Sequence, residues 1–393
     1  MPLINLLGDL LGTLETAHHT GAQLQTAVRQ SMGQLSFGAE VFHQDAAQHR
    51  TVFFARCVCL DEHQDRAADL LLEILNTTRF TDTDAVRKLL RQKQTANQQR
   101  LVAMGNRYAA ARVNARETSA GAARELLSGC EAIRWVGRQC QEENLSPLMA
   151  QMADLCRKLF CRSRLTVSIS TNAQGLLPRF LAAFPEGSPA PESAAFSPFP
   201  PCREGILIPA GVGYAAKGAN LGQFGQEFGG QLYVLSNLLT FEHLWNQVRV
   251  KGGAYGTGFR WDSSGDVVAT SYRDPTPGKT LGHFDRCADV VERLCAGKPD
   301  LTRYILGAMA DADPLLGAAG KIRLAEMRHF KGTTQEDALR RREQLLHCRA
   351  EDLLRLCPAL RSVAAEENYC IVAGREQLDS CKELLDTIVE NLD

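Results

Sequence analysis

The chain has 393 residues, 45% hydrophobic and 23% charged, with a formal net charge of −1. That balance supplies packed cores for two or three domains and excludes a disordered chain. Near-neutrality gives no ground for nucleic acid or an anionic membrane surface as a partner. No apolar run reaches the roughly 18 residues of a membrane span. The apolar start, MPLINLLGDLLGTLETAHH, carries Asp9 and Glu15 without a basic leader or small-residue cleavage site, so it reads as an amphipathic helix and not a signal peptide. Thirteen scattered cysteines, an odd number, make no disulfide framework and point to a reducing compartment. Cys57 and Cys59 share one face of a strand-like run and, with no second pair nearby, read as buried thiols.

In chain order, residues 2–30 read as two helices. LSFGAEVF (35–42) and TVFFARCVCL (51–60) read as strands paired around a polar turn, followed by a helix at 66–75. Residues 82–117 are helical and basic, and 118–160 supply further helices. RLTVSIS (164–170) has the alternation of a strand, and 174–184 reads as a helix. Between Phe184 and Cys202, six prolines interleaved with Ser, Gly and Ala exclude helix and central strand; residues 185–203 are the expected linker between domains at 1–184 and 204–393. The second half begins with strands at 205–210 and near Tyr214, then helices at 226–239 and 241–249. Gly252 and Gly253 stop the last of these. A strand, a Ser-Ser-Gly turn at 263–265 and a second strand follow. Helices are expected at 280–295, 301–312, 315–330, 334–346 and 351–364, then a strand at 368–374 and a closing helix at 376–390.

The two halves repeat. Val28-Arg29, Gly33 and Gly38 fall on Val248-Arg249, Gly253 and Gly258, each within a helix, a glycine break, a strand pair and a helix. A period of about 200 residues means two copies of one domain. The expected class is α+β, each domain an antiparallel sheet covered by helices. Where the second copy has Tyr255 the first has Leu35, so the tyrosine is not required to build the fold.

The nine histidines form neither H-E-x-x-H nor H-x-x-E-H, so the chain supplies no recognisable metal site. His18-His19 read as surface residues, and His43 and His49, flanking the first hairpin turn, as exposed. GGAYGTG (252–258) follows a helix and opens a strand, the reverse of a phosphate loop. The glycine-rich run 211–230 holds Lys217 but lacks the G-K-[ST] ending, and reads as a close-approach loop. The basic stretch 85–116 reads as a solvated or cavity-lining face, with nucleic acid or an acidic ligand as alternatives. Arg249 and Tyr255 remain. Both side chains are donors at neutral pH, and two donors converging on one point suit a developing oxyanion. The structural alternative is a helix-end arginine on carbonyls and a tyrosine packed in the core.

The string LWNQVRVKGGAYGTGFRWDSSGDVVATSYRDP resembles the last domain of the insulinase/pitrilysin family of zinc metallopeptidases, in its presequence-protease branch, and PLINLLGDLLGTLET with LSFGAEVF resembles the preceding domain. The resemblance implies the C-terminal half of a peptidase whose halves close as two bowls around an unfolded peptide. It implies Arg249 and Tyr255 as the catalytic pair at the scissile carbonyl, with Gly253, Ala254 and Gly256 as substrate contacts. It implies zinc as the cofactor of the whole enzyme, held by an N-terminal half that is the partner of this chain and none of it by this chain, which alone is expected to be inactive. Zinc there would polarise the carbonyl and activate water. The substrates are expected to be short unstructured peptides, and the compartment the bacterial cytoplasm or else a mitochondrial or plastid matrix. A separately encoded non-catalytic subunit and a structural core-protein-like scaffold are the alternatives. Ser271, Tyr272, Arg273 and Asp274 are read as structural, with Arg273 and Asp274 pairing to fix their loop.

Overall fold

A computed structural model describes residues 1–190 and 194–392; residues 191–193 of the expected linker lie outside the described residues. The first hairpin, β1 (Gln34–His43) and β2 (His49–Val58), forms where the alternating patterns place it. Helix Pro2–Leu10 lies on β1 so closely that a Cβ on Gly8 would stand 2.9 Å from the Cα of Gly38. Leu6, Leu7, Leu24, Leu70, Ile74 and Leu90 fill the first core, with Cys57 and Cys59 packed at its edge. Burial pushes the Cys57 thiol up to about 12.

The second sheet has six strands: β3 (Arg203–Leu207), β4 (Gly213–Asn220), β5 (Gly256–Trp261), β6 (Asp266–Tyr272), β7 (Tyr369–Ala373) and β8 (Thr387–Val389), in the order β5-β6-β4-β7-β3-β8. The α+β class is as expected, but this sheet is mixed, because β3 runs parallel to both β7 and β8. Two further expectations fail. RLTVSIS forms no ladder; its residues alternate in exposure as a strand would, without entering either sheet. The closing helix stops at Asp379, since helix Arg375–Asp379 gives way to β8 on the sheet edge. Its Ile388 and Val389 suit a half-buried strand better than a helix end.

One face of the second sheet carries the helices that follow it, around Leu235, Leu244, Val248, Val291 and Leu360. The other face carries helix Gly105–Ala115, contributed from before the proline-rich stretch. The basic helix breaks at Met104 because of this docking: the ring of Tyr214, fully buried in β4, lies so close that a Cβ on Gly105 would stand 2.3 Å from it. The Tyr214 hydroxyl donates to the carbonyl of Val102 at 2.5 Å.

Docking also turns basic residues inward, so the stretch is not simply a solvated face. Glu204, buried at the start of β3, accepts from Arg112 Nε and Nη2 at 2.8 Å each and from Arg116 Nη2 at 2.7 Å. Burial opposes ionisation of Glu204, but the Arg112 hydrogen bonds and both guanidinium charges outweigh it and hold its carboxyl below the usual range. Arg116 also donates to the carbonyls of Cys202 and Tyr369 and to Asn368. Lys217, from the glycine-rich run, is likewise buried, its Nζ 2.6 Å from both Asp285 and the Ala364 carbonyl.

His43 and His49 are buried, contrary to the expectation for turn-flanking residues. His49 Nδ1 lies 2.9 Å from Ser119 Oγ, and its ring stacks on Phe196. His43 meets the far hairpin: its Nδ1 is 3.3 Å from Asp262 Oδ1, without hydrogen-bond alignment, and its Nε2 is 3.3 Å from Ser263 Oγ. Lys331 donates to Ser263 at 2.8 Å, and Arg124 lies 3.5 Å from Asp262. The turn between β5 and β6 is therefore pinned against the first hairpin.

Two outcomes follow for stability. Glu204→Gln leaves buried Arg116 without a carboxylate and Arg112 with only the longer contacts to Glu125 and Glu131, 3.3 Å each, and is expected to cost about 3–5 kcal/mol in urea denaturation. His43 is held at about 4, chiefly by burial with Lys331 adding to it. The unfolded chain takes up this proton near pH 6.5 and the folded chain only near 4, so the stability contributed by neutral His43 is complete above 6.5 and is lost as pH falls through that window. At about 1.4 kcal/mol per pH unit, roughly 3 kcal/mol is lost across it. His43→Gln should flatten the dependence of stability on pH between 6.5 and 4, measured as the slope of denaturation free energy against pH; an unchanged slope would count against this assignment.

Candidate functional site at the helix-to-strand break

Residues Thr240–Lys251 continue helix Gln231–Leu239 as π-helical turns, a rare conformation that recurs at functional sites. Leu244 and Val248 are fully buried against the second sheet, and burial of two such side chains contributes roughly 1.5–3 kcal/mol each. Trp245, next to Leu244 in the sequence, is only half-buried. Its ring instead carries the Arg249 guanidinium, 3.9 Å from the ring centroid. This cation–π contact holds the arginine without consuming its hydrogen-bond donors. The i, i+4 spacing of tryptophan and arginine was the available signal for it.

The break itself is closed by backbone bonds. Gly253 adopts φ +80°, a left-handed conformation that glycine alone takes without penalty, and its N–H donates to the Arg249 carbonyl at 3.0 Å. The Ala254 N–H donates to the Val248 carbonyl at 3.1 Å. A Cβ on Gly252 would meet that carbonyl oxygen at 2.5 Å. Gly253 and Ala254 thus have their N–H groups engaged in ending the helix, and the Ala254 side chain is buried in the core. The Tyr255 N–H donates to the Tyr272 carbonyl at 3.0 Å, which sets the register of β5 on β6.

Tyr255 emerges from this anchored backbone with 71% of its surface exposed. Its ring meets that of Tyr272 edge-on at 6.0 Å, and Tyr272 meets the buried Tyr214 at 5.5 Å. Three tyrosines therefore run from the core beneath helix Gly105–Ala115 out to the site. Gly256 lies opposite Tyr272, where a Cβ would stand 3.6 Å from the Tyr272 Cβ. Arg249 is partly exposed on the last helical turn. The geometry presents a phenol and a guanidinium from either side of one tight break, both held from behind by aromatic rings and neither buried as core.

The second strand of the motif divides differently from expectation. Ser271 is buried, its hydroxyl accepting from the Ala215 N–H at 3.0 Å. Asp274 is buried too, but it does not pair with Arg273. Its carboxylate accepts from the Thr276 N–H at 2.9 Å and the Thr280 hydroxyl at 2.6 Å, ordering the entry to helix Pro277–Asp285. Its backbone bridges to Gly213. Arg273 is exposed.

Among the described residues, no three His, Cys, Asp or Glu side chains come together so as to hold a metal ion, and no helix is long and apolar enough to cross a membrane.

A family model described as the PreP C-terminal domain matches residues 203–375, and one for a domain associated with M16 peptidases of subfamily C matches residues 1–138. Presequence protease 1, chloroplastic/mitochondrial, of Arabidopsis thaliana is 27% identical over 392 residues, covering 97% of this chain and 36% of that protein. Protein HypA of Clostridium perfringens is 26% identical over 395 residues, covering 99% of this chain and 41% of that protein. The chain thus spans about two fifths of the length of these curated relatives. Among solved structures, a peptidase M16 inactive domain from Pseudomonas fluorescens aligns with a TM-score of 0.63 at 14% identity, over 94% of this chain and 87% of that one. Pitrilysin aligns with a TM-score of 0.64 at 11% identity, over all of this chain and 41% of that one, and at such identities the likeness is one of fold. The chain belongs to the insulinase/pitrilysin (M16) peptidase family and resembles the C-terminal half of its presequence-protease branch.

Proposed function

We propose that this chain supplies half of the substrate chamber of a metalloendopeptidase that degrades short unstructured peptides, and that Arg249 and Tyr255 bind the carbonyl region of the bond being cleaved. The observation that carries this reading is the exposure of Tyr255, 71%, on a backbone fixed by the Gly253 turn and the Tyr272 carbonyl. A tyrosine serving the core alone would be buried, as Tyr214 is. The same exposure disfavours a purely structural scaffold.

The chain's residues do not fit the zinc that the resemblance implies, since no suitable cluster exists among the described residues. The metal belongs in this proposal to the N-terminal half, in the same polypeptide or as a separate partner, and this chain alone is inactive. What its own residues do is hold two donors ready. The phenol O–H and the guanidinium N–H groups hydrogen-bond the carbonyl oxygen more strongly as negative charge develops on it. Because the two sit on a half that must approach the other, they complete the site only when peptide is enclosed. Gly256 adds no side chain next to the phenol, while Gly253 and Ala254 act by shaping the break. The two domains at 1–184 and 204–393, joined by the proline-rich stretch, would form one bowl. The compartment in this reading is reducing: bacterial cytoplasm or an organelle matrix.

In an enzyme assembled from this chain and its N-terminal half, Arg249→Ala and Tyr255→Phe should each lower kcat by about 10²–10³ with little change in KM. Steady-state kinetics on a quenched fluorescent peptide would measure this. Full turnover by both variants would refute the assignment.

A further inference from the structure

Many of the exposed arginines on this molecule have carboxylate partners: Arg203 with Asp386, Arg361 with Glu292, Arg323 with Glu40. The surface around Tyr255 differs. Arg249, Arg260 and Arg273 have no ion-pair partner among the described residues; Asp274, next to Arg273, is buried and spent on Thr276 and Thr280, and Asp262, two residues from Arg260, faces Arg124 at 3.5 Å and His43 at 3.3 Å. Glu242, at the start of the π-helical segment, is taken by Arg303 at 3.0 Å.

The arrangement is built as well as charged. Strand alternation puts Gly256, Gly258 and Arg260 on one face of β5, with Tyr272 opposite Gly256. Arg260 folds back along the strand, so that a Cβ on Gly258 would stand 3.6 Å from its Nε. Half-buried Gly256, and Gly258, the latter buried beneath Arg260 and Thr240, place no side chain on this face of the strand, with Arg260 at one end. At the other end stand Tyr255, Tyr272 and Arg273, whose guanidinium lies 5.9 Å from the centroid of the Tyr272 ring. Arg273 holds φ +48°, one of two non-glycine residues at positive φ among the described residues. A β-strand end that needed only a left-handed turn would be served at lower cost by glycine. An arginine kept there in a strained conformation, without a carboxylate, is the pattern of a residue retained for its side chain.

We propose that this face is a carboxylate-recognising subsite, with Arg260 and Arg273 binding an acidic group on the peptide next to the bond that Arg249 and Tyr255 address; this rests on the peptidase reading above. A guanidinium meets a carboxylate through two parallel N–H donors, and with glycine at 256 and 258 no side chain of this face of β5 stands between the two forks. The carboxylate comes from an Asp or Glu side chain or from the peptide's own C-terminus. The subsite disfavours cationic peptides.

The test uses the chain of 393 residues and short labelled unstructured peptides identical except for a central Glu, Gln or Lys, each with a free or an amidated C-terminus, read by fluorescence anisotropy. The Glu peptide should bind about tenfold more tightly than the Gln peptide at low salt, with the gap shrinking as salt is added and closing in Arg260→Gln/Arg273→Gln. Arg273→Gly separates recognition from folding: it should melt at or above the wild-type temperature, because the strain is relieved, yet lose its share of the preference. A preference that follows the free terminus and not the Glu also supports the subsite, with the terminus as the source. Equal binding of all the peptides, or no binding by any, overturns it. Binding preference is independent of turnover, so a retained preference alongside full turnover in both Arg249→Ala and Tyr255→Phe would sink the role given to that pair and leave the subsite standing, whereas a retained preference with no peptide hydrolysis by the assembled wild-type enzyme would sink the peptidase reading alone.

Discussion

The structure depends on one buried ion cluster. Glu204 opens the second sheet and is held by two arginines, Arg112 and Arg116, that arrive from the first half of the chain. Neither partner is tolerable alone in a buried position, because removing a charge from water without a counter-charge costs several kcal/mol. The cluster therefore specifies where helix Gly105–Ala115 sits more than it adds net stability. That helix is the lid on one whole face of the second sheet, over Ile206, Tyr214, Val268 and Val372. With Tyr214 trapped beneath it, the line of aromatic rings that ends at Tyr255 gains a fixed inner end.

The candidate site is fixed from both ends of its hairpin. At the base, the π-helical segment ends in a glycine turn that is closed by backbone bonds. At the tip, Asp262 and Ser263 lock into His43, Lys331 and Arg124. The rigid frame matters because a donor adds most to transition-state binding when it needs no reorganisation. The side chains at the site are not themselves locked by ion pairs. Arg249 rests on Trp245 and Arg273 stands beside Tyr272, aromatic rings that support a guanidinium without neutralising it. Charge pairing elsewhere on the surface makes the lack of it here informative.

Much of this was legible in the sequence. The periodic helices, both hairpins, the glycine break and the pair of residues flanking it followed from pattern, from the Leu35/Tyr255 contrast between repeats and from a specific family motif. What failed has physical reasons. RLTVSIS has strand chemistry, but a strand forms only where a neighbour offers its edge. The segment 376–390 has helical spacing, yet the open edge of β3 recruits its end as β8. His43 and His49 looked like turn residues because turn composition does not reveal that another element will cover the turn. Asp274 adjoins Arg273, but its carboxylate is captured by the next helix start, which adjacency cannot show.

The sequence by itself determined the α+β class, the position of the break and the pair of donors at it, since these rest on local spacing and on glycine's conformational freedom. Only the tertiary structure decided which charges are paired. The basic stretch 85–116 read as a solvated or cavity-lining face, and folding buried two of its arginines on Glu204 because the sheet needed a cover. Arg273 looked structural, and folding left it exposed, like Arg260, without an ion pair because the nearby carboxylates were drawn elsewhere. Ion pairing over long sequence separations depends on which elements pack together, so it is settled only when the chain has folded.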